Sequence, residues 1–247
     1  MIISFANQKG GAGKTTTTIL TATAINHYYD KTVCVVDLDI QRSLIITREE
    51  EMDYIKELDS LNKLNGNNKE FKALKNLKSL NKKLYPIYAF DVKKEDTIDK
   101  ILELEKQYDI VMVDIPGSID VQGLSKAITF IDYIFVPIFA ERKNYNSTFD
   151  FIGTLEKLKR NSNIRLKNYF VYFFNYNARE RQGIWNFLKE LFDDKNIYLF
   201  DNKIHEGNAD DLNTSTIVPL RDNFGKSIYS FTEEVLKQLY PTEELRK

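Results

Sequence analysis

Eight residues near the start of the chain, Lys9-Gly10-Gly11-Ala12-Gly13-Lys14-Thr15-Thr16, constrain the fold more than any other stretch. They follow a short apolar run, Ile2–Asn7, that reads as a strand, and they open a segment from Lys14 to about Tyr29 that reads as a helix. Gly10, Gly11 and Gly13 allow backbone conformations that a Cβ forbids, and let the chain approach a ligand closely. Successive backbone N–H groups at the start of a helix then make a concave anion site. The expected nucleotide-binding set is Gly10, Gly11, Ala12, Gly13, Lys14, Thr15 and Thr16. In that set the Lys14 ammonium is placed for β- and γ-phosphates and the Thr15 hydroxyl for Mg²⁺.

The rest of the chain alternates short apolar runs with longer helical patterns. Thr32–Asp39 and Asp109–Ile115 are rich in β-branched residues and lack period-2 alternation, as strands buried on both faces do. Tyr85–Phe90, Tyr133–Phe139, Tyr169–Phe174 and Ile197–Phe200 read as further strands. Thr97–Tyr108, Ser147–Lys159 and Ser227–Leu239 read as helices. Such alternation predicts an α/β fold with a mainly parallel sheet and right-handed crossovers. One domain over residues 1–247 is expected, interrupted by a helical, Lys/Asn-rich crossover insert at 49–84. With 247 residues the chain is long enough to bury a full core without staples. Its single cysteine, Cys34, excludes a disulfide framework and any cluster ligated by cysteines of one chain.

The strict phosphate-loop pattern places a glycine at position 8, where this chain has Gln8, and a second lysine, Lys9, stands next to it. K-G-G-x-G-K-T-T resembles the deviant Walker A motif of the ParA/MinD family of P-loop ATPases. Two further matches lie downstream. Asp37-Leu38-Asp39-Ile40-Gln41 resembles the family's D-x-D-P-Q, with Ile40 in place of proline, and Asp114-Ile115-Pro116-Gly117-Ser118 resembles its D-x-P-P-S. Val136-Pro137 through Glu141 resembles its V-P-x-x-x-E. The resemblance implies a three-layer P-loop NTPase fold, with a twisted sheet between two helical layers. It implies a slow ATP hydrolase, stimulated by a partner and using ATP and Mg²⁺. Lys9 would reach across a nucleotide sandwich dimer, Lys14 would hold phosphate, and Asp39 would orient the attacking water. Thr15, Asp37 and Asp114 would serve the metal, and Asn175 would face the adenine.

The resemblance also implies partners: a second copy of the chain, a ParB-like or adaptor protein, and nonspecific DNA. The formal net charge of −1 argues against indiscriminate coating of nucleic acid, yet residues 141–181 carry nine basic and four acidic side chains, a local +5. Lys157, Lys159, Arg160, Arg165 and Lys167 are the candidate DNA contacts. No run approaches the ~18 apolar residues of a membrane span. The C-terminal stretch carries Glu233, Glu234 and Glu243 and is cut by Pro241, unlike a basic membrane-surface helix. The expectation is a cytoplasmic protein, on the nucleoid when DNA is bound, that acts in plasmid, chromosome or mobile-element partitioning. The alternative is a nucleotide-gated scaffold that positions a protein machine, such as a conjugation apparatus, without DNA.

Overall fold

The computed structural model describes residues 1–60, 68–116, 121–139, 145–160, 164–176, 178–205, 215–219, 223–243 and 245. Six strands, β1 (Ile2–Phe5), β2 (Val33–Asp37), β3 (Ile87–Ala89), β4 (Ile110–Asp114), β5 (Tyr133–Ile138) and β6 (Asn168–Phe173), form one sheet in the order β3-β2-β4-β1-β5-β6. Every pairing is parallel. The helices are α1 (Lys14–Tyr28), α2 (Ser43–Ser60), α3 (Lys69–Ser79), α4 (Thr97–Glu105), α5 (Val121–Ile128), α6 (Tyr145–Lys159), α7 (Ala178–Asp194) and α8 (Asn223–Leu239).

Alternate strand residues feed two cores, which is why the strands read as unbroken apolar runs. Ile2, Val111, Val113, Ile134 and Val136 join Ile101, Leu104, Phe151, Leu155, Leu188 and Phe192 of α4, α6 and α7 on one face. Ile3, Phe5, Met112 and Phe135 join Ile19, Ile25, Phe231 and Val235 of α1 and α8 on the other. The result is three layers, helices over both faces of a parallel sheet. Cys34 is buried in β2 as a packing residue.

Burial of both faces forces function to the strand ends. β1 lies between β4 and β5, so the chain leaves it toward β2 on one side and later returns on the other. Ligands of open parallel sheets bind at the carboxyl ends of the strands beside such a reversal. The glycine-rich loop leaves β1 at this place.

One expectation is corrected. Ile197–Phe200 is not a strand of the sheet: it contributes a single bridge, Leu199 to Val171. The chain then turns at Asp201–Asn202, where the Glu234 carboxylate of α8 accepts both backbone N–H groups at 3.0 and 2.8 Å. That turn interrupts the pairing with β6. The crossover between β2 and β3 holds two helices, α2 and α3. Its first helix begins at Ser43, and α2 and α3 meet through Ile55 and Ala73 against Ile217. Among the described residues no helix is long and apolar enough to cross a membrane.

Candidate nucleotide site

The loop between β1 and α1 is left-handed at Gly11 (φ 68°) and Gly13 (φ 75°). Gly13 is doubly constrained. A Cβ there would stand 2.4 Å from Cε1 of Phe174, so the ring that follows β6 closes directly over the loop. Lys14 starts α1 with only 7% of its surface exposed, and its Nζ donates to the Lys9 carbonyl at 3.1 Å. Burial lowers its pKa, while Asp114 and Asp39 pull the other way. The Lys9 ammonium rests instead over the Phe139 ring, 5.2 Å from its centroid, and Phe139 packs edge-on against Phe174. The two lysines of one loop are therefore held in different directions.

Register sets two carboxylates side by side, because Asp37 of β2 pairs with Asp114 of β4. Asp114 Oδ2 accepts the Thr15 hydroxyl at 2.8 Å, and its Oδ1 is buried with no hydrogen-bond partner. An orphaned, buried carboxylate oxygen beside a hydroxyl fits a hard cation such as Mg²⁺. Among the described residues no three His, Cys, Asp or Glu side chains could hold a metal alone. That suits an ion that takes one or two protein carboxylates and completes its shell with phosphates and water.

Asp37, expected in the metal's shell, is committed elsewhere. Its Oδ1 accepts the N–H of Asp39 at 2.9 Å and its Oδ2 that of Leu44 at 3.1 Å. It clasps the loop that leads into α2, and so positions Asp39. That loop is a tight turn, with Asp39 Oδ1 accepting the Gln41 N–H and Arg42 in a left-handed conformation. Ile40, the replacement for proline, stands 75% exposed at its tip.

Burial pushes the Asp114 carboxyl up to about 7, the Thr15 hydrogen bond opposes this, and the nearby Asp37 charge adds to it. The sign follows from linkage. The group costs nothing where both folded and unfolded forms are protonated, below its ordinary value of 3.8. It then destabilises the nucleotide-free fold increasingly up to pH 7. Without nucleotide and Mg²⁺, the protein should lose stability relative to Asp114→Asn as pH rises from about 4 to 7 and hold level above that. Urea unfolding at several pH values checks this; parallel curves for the two proteins would refute it.

Asn7 escaped the sequence reading. It is buried at the exit of β1, and its Nδ2 donates to the Pro137 carbonyl at 2.9 Å and to Thr148 Oγ1 at 3.1 Å. Its Oδ1 accepts the Lys9 N–H at 3.1 Å. One amide thus ties the loop to β5 and α6. An asparagine is a poor strand residue, and that mismatch at a strand end was the available signal. Asn7→Ala should remove these three hydrogen bonds and destabilise by about 2–3 kcal/mol, lowering Tm by roughly 4–12 °C in calorimetry.

Asn175 follows β6 in a left-handed conformation (φ 56°), next to the Phe174 that covers Gly13. Gly117, Ser118, Ala140 and Glu141 lie outside the described residues, as does the Arg179 side chain. The candidate DNA residues fall elsewhere, at the end of α6 and at the opposite, amino-terminal end of β6. Arg165 and Lys167, expected as DNA contacts, are engaged by Asp132, each at 3.0 Å, and Arg165 also pairs with Glu105. Burial works to raise the Asp132 pKa, but the Ile2 N–H, Lys167 and Arg165 outweigh it and hold the carboxyl below its usual range. These cations pair with the buried Asp132 and, through Arg165, with the half-buried Glu105. Lys157, Lys159 and Arg160 are exposed, and Lys159 donates to Asn168 at 3.0 Å.

A family model described as an AAA domain matches residues 1–168. An uncharacterized protein of Methanocaldococcus jannaschii is 27% identical over 212 residues, covering 78% of this chain and 80% of that protein. Three solved structures share the fold. A putative plasmid partition protein from Borrelia burgdorferi bound to AMPPNP has TM-score 0.60 and 21% identity, covering 96% of this chain and 98% of that one. Cobyrinic acid a,c-diamide synthase from Mycobacterium smegmatis, with an ATP analogue and magnesium, has TM-score 0.65 and 17% identity, covering 100% and 98%. pNOB8 ParA bound to nonspecific DNA has TM-score 0.60 and 17% identity, covering 98% and 99%.

Proposed function

The chain belongs to the ParA/MinD-like AAA-domain family of P-loop ATPases, and from that premise we propose that it is an ATP-driven dimerisation switch in DNA partitioning. Its cofactors are ATP and Mg²⁺. Two copies close face to face over two nucleotides, and the dimer holds DNA nonspecifically until hydrolysis reopens it. A ParB-like or adaptor protein accelerates that step. The partition-protein and DNA-bound neighbours support this reading over a scaffold that ignores DNA.

One observation carries it: the two lysines of the loop are held apart. Lys14 turns in toward the Lys9 carbonyl, while the Lys9 ammonium lies on the Phe139 ring at the end of β5. Lys14 binds phosphate within its own chain. Lys9 meets the nucleotide of the partner and stabilises the negative charge there. Thr15 and Asp114 hold Mg²⁺, which when bound neutralises charge on the β- and γ-phosphates. Asp39, kept in place by Asp37, orients the water that attacks the γ-phosphate. Asn175 contacts the base.

Asp39→Ala separates assembly from chemistry. With ATP and Mg²⁺ it should run as a stable dimer in size-exclusion chromatography with light scattering. Turnover should fall about a hundredfold or more, the typical worth of a positioned acid–base group. A monomeric Asp39→Ala protein in saturating ATP would defeat the switch.

A further inference from the structure

Positive charge that no described acid pairs is also concentrated outside residues 141–181. With Arg165 and Lys167 neutralised by Asp132 and Glu105, the candidate moves to α3 and the turn after it. Residues 69–83 hold six lysines and one acid, a local +5 in a chain of net charge −1. Lys69, Lys72, Lys75, Lys78 and Lys83 are all exposed, and none makes an ion pair with a described residue. The sixth, Lys82, is half-buried.

We propose that the lysine face of α3 is a docking surface for the phosphate backbone of duplex DNA. The inference rests on the DNA-binding reading above and supplies a site for it. The chemistry of the face selects the partner. A protein interface needs an apolar centre, and the one large exposed apolar side chain among residues 69–83 is Leu80, at the edge of the lysine face in the turn after α3. A membrane-surface helix needs its apolar side free, but Ala73 and Leu77 of α3 are buried and Leu74 packs on the Ile55–Ala73–Ile217 cluster. What remains is a rigid rod of mobile ammonium groups. At about 16 Å it runs alongside roughly nine phosphates of a duplex. The neighbouring helix directs the approach. α2 exposes Glu49, Glu50, Asp53, Glu57 and Asp59, so a polyanion is repelled from it and attracted to α3.

The test uses the full chain with ATP and Mg²⁺ and a fluorescent random-sequence duplex, titrated across salt concentrations. Lys72→Glu/Lys75→Glu should weaken binding about tenfold or more, and flatten the log K against log salt slope by about 0.9 for each phosphate no longer neutralised. The charge-matched Lys157→Glu/Arg160→Glu should weaken it less. Both variants should retain wild-type ATP turnover, which shows that they fold. Vesicles of anionic phospholipid should retain none of the proteins. Unchanged affinity and slope in the α3 variant would overturn the proposal while leaving DNA binding in force. A wild-type protein that ignores DNA at low salt, or prefers the vesicles, would overturn both.

Discussion

Lys9→Ala should keep ATP but lose the ATP-dependent dimer, and its turnover should fall by about 10³-fold or more, the scale of a charge supplied in trans to phosphoryl transfer. ATP drives dimerisation only through its differential affinity for the dimer. Lys9 is the group proposed to supply that difference. The site within one chain survives its removal: Gly13 under Phe174, Lys14, and the Thr15–Asp114 pair do not depend on the Lys9 side chain. The bond from Lys14 runs to the Lys9 carbonyl, which alanine keeps. Removing the ammonium from the Phe139 ring costs the fold only about 0.5–1 kcal/mol. Calorimetric ATP affinity should therefore stay within about threefold of wild type, a free-energy change under 1 kcal/mol. The dimer seen by light scattering should disappear. A Lys9→Ala protein with the wild-type rate would remove the trans-lysine mechanism.

The contrast between the two lysines also marks what the sequence can convey. A loop that takes left-handed turns must advertise its glycines, and parallel strands buried on both faces must be apolar throughout. Both features are local, so β1, the loop, β2 and β4 were legible. Helix α7 has apolar residues at helical spacing, Ile184, Trp185, Leu188, Leu191 and Phe192, but Gly183 and a polar first turn obscured it. Helix α5, with Gly123 inside it, was equally quiet. Contacts between distant positions leave no local trace. Asn7 meets partners 130 and 141 residues away, and Arg165 meets Glu105 across 60. Local charge counting therefore could not register that Arg165 and Lys167 pair with acids remote in sequence.

Lys14→Met should weaken ATP binding at least about tenfold and yet leave the nucleotide-free protein as stable as wild type, or more so. The loss is direct: a charge-assisted bond to phosphate is worth about 1.5–3 kcal/mol, so affinity should fall by roughly ten- to a hundredfold or further. The stability effect has opposing parts. Burial penalises the Lys14 ammonium enough to lower its pKa, and methionine removes that penalty while keeping a stem to fill the space. Against this, Asp114 and Asp39 lose a cation. For Asp114 the loss is buffered, because a carboxyl already pushed up to about 7 takes a proton more readily once Lys14 is gone. It therefore leaves no uncompensated buried charge, the condition that makes breaking an ion pair expensive. Thermal unfolding with and without ATP and Mg²⁺ reads both halves. The wild type should gain about 2.7 kcal/mol of stability at ligand a hundredfold above its Kd, and Lys14→Met at the same concentration at most about 1.4 kcal/mol. An ATP-dependent rise in the variant as large as that of the wild type would mean that the glycine loop holds phosphate without its lysine.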